Sequence, residues 1–83
     1  MHYVYILECA DKTLYVGYTT DIKRRLREHN NSKSGAHYTK IRRPVILKHK
    51  EAFRTLGKAL RREAEIKKMK REEKILLITK AVC

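Results

Sequence analysis

The chain has 83 residues, of which 21 are lysine or arginine and nine are aspartate or glutamate, giving a formal net charge of +12 at pH 7. This length is below the roughly 100 to 150 residues of a typical domain, so we expect one domain over residues 1–83 without a large internal pocket. Hydrophobic residues make up 42% of the chain, with three glycines and one proline. This composition excludes a disordered tail.

The positive charge predicts a polyanionic partner, because cations placed against phosphates release condensed counterions. Nucleic acid is the expected partner, and an anionic membrane is the weaker alternative. Residues 41–83 hold fourteen basic and five acidic side chains, against seven and four in residues 1–40. No apolar run approaches the roughly 20 residues that span a bilayer, and the start of the chain lacks a cationic signal segment, so we expect a cytoplasmic protein. The spacing of Cys9 and Cys83 favours two reduced thiols over a disulfide or a zinc site.

The first half of the chain predicts a hairpin followed by a helix. Residues 2–9 and 13–18 are rich in aromatic and β-branched types, and they flank a turn-like Ala-Asp-Lys segment. Ile22, Leu26 and His29 form an i, i+4, i+7 stripe, which predicts a helix that ends near Asn30.

The second half predicts a strand at residues 45–49, a helix from a Thr55 cap to about residue 70, and a last helix over about residues 71–81. The element order ββαβαα predicts an α+β fold, in which a three-stranded antiparallel β-sheet is flanked by helices.

A long loop is predicted at residues 30–44, and loops of this length in a small domain are usually functional. Its cations and one aromatic side chain are candidates for tracking a phosphate backbone and stacking a base, although each is equally explained as a solvated loop residue. Arg62 on the second helix is a further candidate for phosphate contact. The predicted loop contacts are Lys33, Tyr38, Lys40, Arg42 and Arg43.

Three polar side chains lie on or beside apolar helix stripes, where a buried charge is costly unless it is paired, metal-bound or open to a cleft. Arg25 borders the inward face of the first helix, and His29 lies one turn further on the same side. Glu63 falls in the middle of the stripe of the second helix. A structural salt bridge between Arg25 and Glu63 and a functional site are both compatible with this pattern.

Four of the five tyrosines of the chain are in the predicted hairpin, at positions 3, 5, 15 and 18. Tyrosine is a good strand former, so this clustering alone is compatible with a structural role. Gly17 is less easily explained, because glycine inside a strand usually marks a bulge or the close approach of a backbone or ligand. We therefore predict that a phosphate of nucleic acid lies against the sheet at Gly17.

Together these residues resemble the GIY-YIG nucleases, which are named after two short motifs about ten residues apart on paired strands. Tyr3-Val4-Tyr5 stands at the first motif and Tyr15-Val16-Gly17 at the second, followed by Arg25, by His29 and by Glu63 in an Ala-Leu-Arg-Arg-Glu segment. The segments Gly-Ala-His-Tyr-Thr and Arg-Arg-Pro-Val are similar to those of the small stand-alone bacterial branch, most of whose members are uncharacterised. Tyr3 replaces the name-giving glycine, Tyr18 replaces a lysine of several members, and no asparagine follows Glu63.

The resemblance implies a phosphodiesterase that uses one divalent ion, Mg²⁺ or Mn²⁺, held by Glu63. It further implies that Tyr15, or Tyr5 beside it, takes a proton from the attacking water. Arg25 would hold phosphate oxygens. His29 would orient a tyrosine or relay a proton, with packing against the sheet as the alternative.

The leading hypothesis is a metal-dependent endonuclease that cleaves DNA or RNA with low sequence specificity, with DNA as the preferred expectation. A catalytically inactive nucleic-acid-binding module of the same fold is the main alternative. A third hypothesis is a ribosome-associated factor whose basic helices dock onto RNA.

Overall fold

A computed structural model describes residues 1–31 and 43–82 of the chain. Within them the element order is the predicted ββαβαα. The strands are β1 (His2–Glu8), β2 (Leu14–Thr19) and β3 (Ile46–Phe53), and the helices are α1 (Ile22–Asn31), α2 (Leu56–Lys68) and α3 (Arg71–Val82).

The three strands form one antiparallel sheet in the order β2-β1-β3, with β1 in the centre. This confirms the predicted fold class. In the pairing of β1 with β2, Tyr5 lies opposite Gly17. In the pairing of β1 with β3, Ile6 lies opposite His49 and Leu7 opposite Leu47, so one extra residue of β3 forms a bulge between these pairs.

The side chains of β1 alternate between two apolar layers, as the pleat of a strand requires. Val4 and Ile6 pack with residues of α2 and α3 on one side of the sheet. Tyr5 and Leu7 pack with residues of α1 on the other side. The helix α1 therefore covers one face of the sheet, and α2 and α3 cover the other.

The third strand is longer than the predicted residues 45–49, since it reaches Phe53. Lys48 and Lys50 are exposed to solvent, whereas His49 and Glu51, which alternate with them, are half-buried. The prediction ended this strand too early because the next two residues, Lys50 and Glu51, are charged, and the partner of Glu51 is Arg62, which lies on α2.

Side-chain to backbone hydrogen bonds lie near the ends of two helices next to β3. The hydroxyl of Thr55 accepts a hydrogen bond from the backbone N–H of Lys58 at 3.3 Å, which confirms the predicted cap of α2. Near the end of α1, the side-chain amide of Asn30 donates to the carbonyl of Val45 at 3.2 Å and accepts from the Val45 N–H at 2.8 Å. These bonds hold α1 against the start of β3.

Cys9 is buried, whereas Cys83 and most of the predicted loop at residues 30–44 lie outside the described residues. Among the helices of the described residues, none has the length and apolar character needed to cross a membrane.

Candidate active site

Tyr5, Tyr15 and His29 form a compact aromatic cluster between the hairpin and α1. The Tyr5 hydroxyl lies 2.9 Å from Nε2 of His29. The ring centroids of Tyr15 and His29 are 5.1 Å apart and edge-on, and those of the two tyrosines are 6.4 Å apart. The structure therefore brings together three side chains that were predicted to act in one site.

The two tyrosines differ in their exposure to solvent. Tyr5 is only 2% exposed, whereas Tyr15 is half-buried. Burial raises the pKa of Tyr5 to about 12, and the negative charge of Glu63 acts in the same direction, while a hydrogen bond from Arg25 and its positive charge oppose them. Tyr5 is therefore a neutral phenol near pH 7.

Arg25 joins this cluster from α1. Burial lowers the pKa of its guanidinium, but hydrogen bonds to Tyr5 and Glu28 outweigh that effect and raise it. Nη1 of Arg25 lies 3.1 Å from a carboxylate oxygen of Glu28, one turn along the helix. A permanent positive charge is thus fixed beside the Tyr5 hydroxyl.

His29 is fully buried at the end of α1. Burial lowers its pKa to about 4, and the positive charges of Arg25 and Arg43 contribute to this shift, while Glu28 opposes it. The imidazole is therefore neutral near pH 7, so Nε2 either accepts a hydrogen bond from the Tyr5 hydroxyl or donates one to it, depending on the tautomer.

Gly17 lies directly beneath the Tyr5 ring on the neighbouring strand. A Cβ atom at this position would be 2.5 Å from the Tyr5 hydroxyl oxygen, 2.7 Å from its Cζ and 3.1 Å from Cε1 of Tyr15. The space that was predicted to receive a phosphate is therefore occupied by the phenol of Tyr5. A contact of Gly17 with nucleic acid stays a prediction.

Glu63 comes from α2, and its carboxylate is half-buried, with 18% of the side chain exposed. It lies close enough to Tyr5 for its charge to contribute to the raised pKa of that phenol. Its salt-bridge partner is Lys67, one turn further along α2 at 3.7 Å. The predicted structural alternative, a salt bridge between Arg25 and Glu63, is not among the salt bridges of the described residues, in which Arg25 pairs with Glu28 and Glu63 with Lys67.

Comparison with known protein families identifies the family of this chain. The GIY-YIG catalytic domain matches residues 1–75, which is most of the chain. The chain belongs to the GIY-YIG family. The resemblance inferred from the sequence motifs is thereby confirmed.

Relatives of this GIY-YIG chain are small proteins of similar length. A UPF0213 protein of Syntrophus aciditrophicus is 61% identical over 77 residues, which cover 93% of this chain and 88% of the relative. The solution NMR structure of the UPF0213 protein BH0048 from Bacillus halodurans is 46% identical and has a TM-score of 0.61, covering 94% of this chain and 82% of that one. The solution NMR structure of the protein EF2693 from E. faecalis is 42% identical and has a TM-score of 0.64. The match covers 99% of this chain and 88% of that one.

Two of the predicted nucleic-acid contacts are engaged inside this GIY-YIG domain. The guanidinium of Arg43 donates to the backbone carbonyls of His29 and Glu28 at the end of α1. Arg62 donates two hydrogen bonds to the carboxylate of Glu51, at 2.9 and 3.1 Å. Contact of these arginines with nucleic acid stays a prediction, and the other predicted contacts lie outside the described residues, namely Lys33, Tyr38, Lys40 and Arg42.

A polar network around Glu51 was missed in the sequence. Nε2 of His49 lies 2.8 Å from the Glu51 carboxylate, which also receives the two bonds from Arg62. Burial raises the pKa of Glu51, but the hydrogen bonds from Arg62 and His49 outweigh it and lower the pKa. The i, i+2 spacing of His49 and Glu51 on a strand was the available signal, although nothing in the sequence identified Arg62 as their partner.

Proposed function

We propose that this GIY-YIG protein is a metal-dependent endonuclease that hydrolyses phosphodiester bonds of DNA or RNA with low sequence specificity. The observation that supports this proposal best is the packing of Tyr5, Tyr15, His29 and Arg25 into one cluster in a chain of this family. The net charge of +12 supports a nucleic-acid substrate, because charge attracts the backbone without reading its sequence.

Tyr15 is the general base in this proposal, and Tyr5 is a positioning residue. A base must reach the water it deprotonates, and Tyr15 is half-buried whereas Tyr5 is buried. Tyr5 is held as a neutral phenol and is fixed by His29 at 2.9 Å. In this arrangement His29 orients Tyr5, and the edge of its ring packs against Tyr15.

Arg25 holds the non-bridging oxygens of the phosphate in this proposal. Its guanidinium is anchored at Nη1 by Glu28, and the planar group carries five N–H donors in all. An anchored, planar cation fits a phosphate better than a mobile ammonium, because two parallel hydrogen bonds fix the orientation of the ligand.

Members of this family generally use a divalent metal, and Glu63 is the residue that would hold it here. The carboxylate offers a hard oxygen ligand, and its 3.7 Å contact with Lys67 is weak enough to be exchanged, since 56% of the Lys67 side chain is exposed. A single carboxylate suits Mg²⁺, which keeps several water ligands and is bound through one or two carboxylates. Such an ion supplies Lewis-acid stabilisation of charge on the phosphate.

Cleavage assays on plasmid, duplex and single-stranded substrates with Mg²⁺ or Mn²⁺ test this proposal. Loss of a general base typically lowers a rate by a factor of about 10² to 10⁴, so Tyr15→Phe is expected to fall in that range. Tyr18→Phe is the matched control, because Tyr18 is an exposed tyrosine on the same strand. Equal cleavage by wild type and Tyr15→Phe would refute the assignment of the base.

The carboxylate and the guanidinium have matched controls on their own helices. Glu63→Gln is expected to abolish metal-dependent cleavage, whereas Glu65→Gln, an exposed position on α2 with the same change of charge, should cleave like wild type. Arg25→Gln is expected to be inactive and Arg24→Gln active. Salt-sensitive binding without cleavage at any metal concentration would instead support the inactive binding module.

The remaining sequence-based expectations stay predictions: one domain over residues 1–83, a cytoplasmic location, and DNA rather than RNA as the preferred substrate.

A further inference from the structure

An open groove of about 240 Å³ lies next to the candidate active site. One wall is the first tyrosine of β1, and the others are the start of α1 and a lysine of β3. The lining residues are Tyr3, Thr20, Asp21, Ile22, Lys23 and Lys50.

The groove is continuous with the aromatic cluster of Tyr5, Tyr15 and His29. Tyr3 and Tyr5 lie two residues apart on β1 and so face the same side of the sheet. Lys50 is the cross-strand partner of Tyr5 in the pairing of β1 with β3. Ile22 lines both the groove and the closed space around Tyr5 and Arg25. A chain bound at the cluster therefore has a direct path into the groove.

The cations of the groove are available to a ligand. Lys23 and Lys50 are exposed, and no carboxylate within residues 1–31 and 43–82 forms a salt bridge with either. Asp21 is already used as the cap of α1, since its Oδ1 accepts a hydrogen bond from the Arg24 N–H at 3.1 Å. The groove is therefore lined by two ammonium groups and one carboxylate, which already accepts a hydrogen bond. The resulting net positive charge favours an anionic ligand.

We propose that this groove binds the nucleotide adjacent to the cleaved one in a single-stranded nucleic acid. The base stacks on Tyr3, and its phosphate lies between Lys23 and Lys50. The identity of the ligand as nucleic acid rests on the proposed function. A single strand is required because the bases of a duplex are already stacked on one another, whereas an unpaired base takes an aromatic platform without regard to its sequence. The groove is smaller than the roughly 300 to 1,000 Å³ of drug-sized pockets, which suits one nucleotide.

Fluorescence anisotropy with a labelled single-stranded oligonucleotide, and with the duplex of the same sequence, tests the proposal in the presence of EDTA. Tyr3→Phe keeps the aromatic face and should bind the single strand like wild type. Tyr3→Leu removes that face and should weaken binding about tenfold, at the lower end of the range measured for base stacking, while binding of the duplex stays unchanged. Thermal unfolding of both variants verifies that they are folded.

The salt dependence of binding tests whether Lys23 and Lys50 contact a phosphate. It also tests the proposed groove if Tyr3→Leu does not fold. Lys23→Gln and Lys50→Gln should each reduce the slope of log affinity against log salt by about 0.7, the value for one phosphate contact on a single strand. Lys68→Gln is the control, because it removes another exposed lysine, at the end of α2. Its slope should stay that of the wild type.

The outcomes separate this proposal from that of the nuclease. Equal single-strand affinity of Tyr3→Leu and Tyr3→Phe, or equal slopes for Lys50→Gln and Lys68→Gln, would overturn the groove while cleavage assays still support the enzyme. The expected binding pattern without any cleavage would support the groove and refute the nuclease. Tighter binding of the duplex that does not depend on Tyr3, or no binding of nucleic acid, would also overturn the groove.

Discussion

Replacing Gly17 by alanine tests the packing on which the candidate site depends. The added Cβ would lie 2.5 Å from the Tyr5 hydroxyl oxygen and 2.7 Å from Cζ, both shorter than a Cβ atom tolerates. The ring cannot simply rotate into solvent, because Tyr5 is 2% exposed and its hydroxyl is held 2.9 Å from His29. The phenol must therefore move, and its bond to His29 must lengthen or break.

The expected loss of stability follows from three contributions. Overpacking of a core typically costs about 1 to 3 kcal/mol, and a lost hydrogen bond about 1 kcal/mol. The lower backbone entropy of alanine in the unfolded chain returns about 0.4 to 1 kcal/mol. We expect Gly17→Ala to lower the free energy of unfolding by about 1 to 3 kcal/mol, with a shift in Tm of about 4 to 8 °C for each kcal/mol in a domain of this size.

Urea unfolding of Gly17→Ala beside Gly57→Ala measures this effect against a matched control. A Cβ at Gly57 on α2 meets no atom within 4 Å, so that substitution should stabilise the helix by about 0.5 to 1 kcal/mol. In a Tyr5→Phe background the hydroxyl contact is absent, and Gly17→Ala should cost less than in the wild type. Equal or greater stability of Gly17→Ala relative to the wild type would refute the placement of the Tyr5 phenol.

Two further predictions concern buried polar groups. Burial lowers the pKa of His29 from 6.5 to about 4, so the unfolded chain takes up a proton that the folded chain resists, and stability should fall by about 3 kcal/mol as pH drops from 6.5 to 4. Unfolding of His29→Gln across this range should lack that component, and an identical pH profile would contradict the burial of a neutral imidazole. Arg62→Met should destabilise the domain by about 1 to 3 kcal/mol, because the half-buried Glu51 loses both hydrogen bonds from the guanidinium. Urea unfolding should then find Arg62→Met with Glu51→Gln less destabilised than Arg62→Met alone, and an unchanged stability of Arg62→Met would show that the pair contributes nothing.

Local patterns were sufficient to predict the hairpin, the Thr55 cap and the order of the elements. Each depends on residues close together in the chain, such as the hydroxyl of Thr55 and the N–H of Lys58, three residues later. The end of β3 depends instead on contacts from outside the strand. Glu51 is accommodated because Arg62 of α2 pairs with it. The bulge next to His49 also places neighbouring odd-numbered residues on opposite faces, which simple alternation does not predict.

For the candidate site, the sequence identified the side chains but not their partners. Periodicity placed Arg25 and Glu63 on inward faces, yet each forms its salt bridge with a residue one turn away on its own helix. A helical stripe shows which side of the helix a side chain lies on. It does not show which of several nearby charges the side chain pairs with, and residues three or four apart on the same helix are neighbours.

The division of roles between the two tyrosines likewise depends on the pairing of strands. Tyr5 and Tyr15 are equivalent as strand-forming phenols, and the motif alone leaves either as the base. The register sets Tyr5 opposite Gly17, where the missing side chain leaves room for the end of the Tyr5 phenol, which reaches His29. That placement buries Tyr5 and leaves Tyr15 at the surface of the cluster. Gly17 therefore determines which of the two phenols is exposed to solvent, although it contributes no functional group of its own.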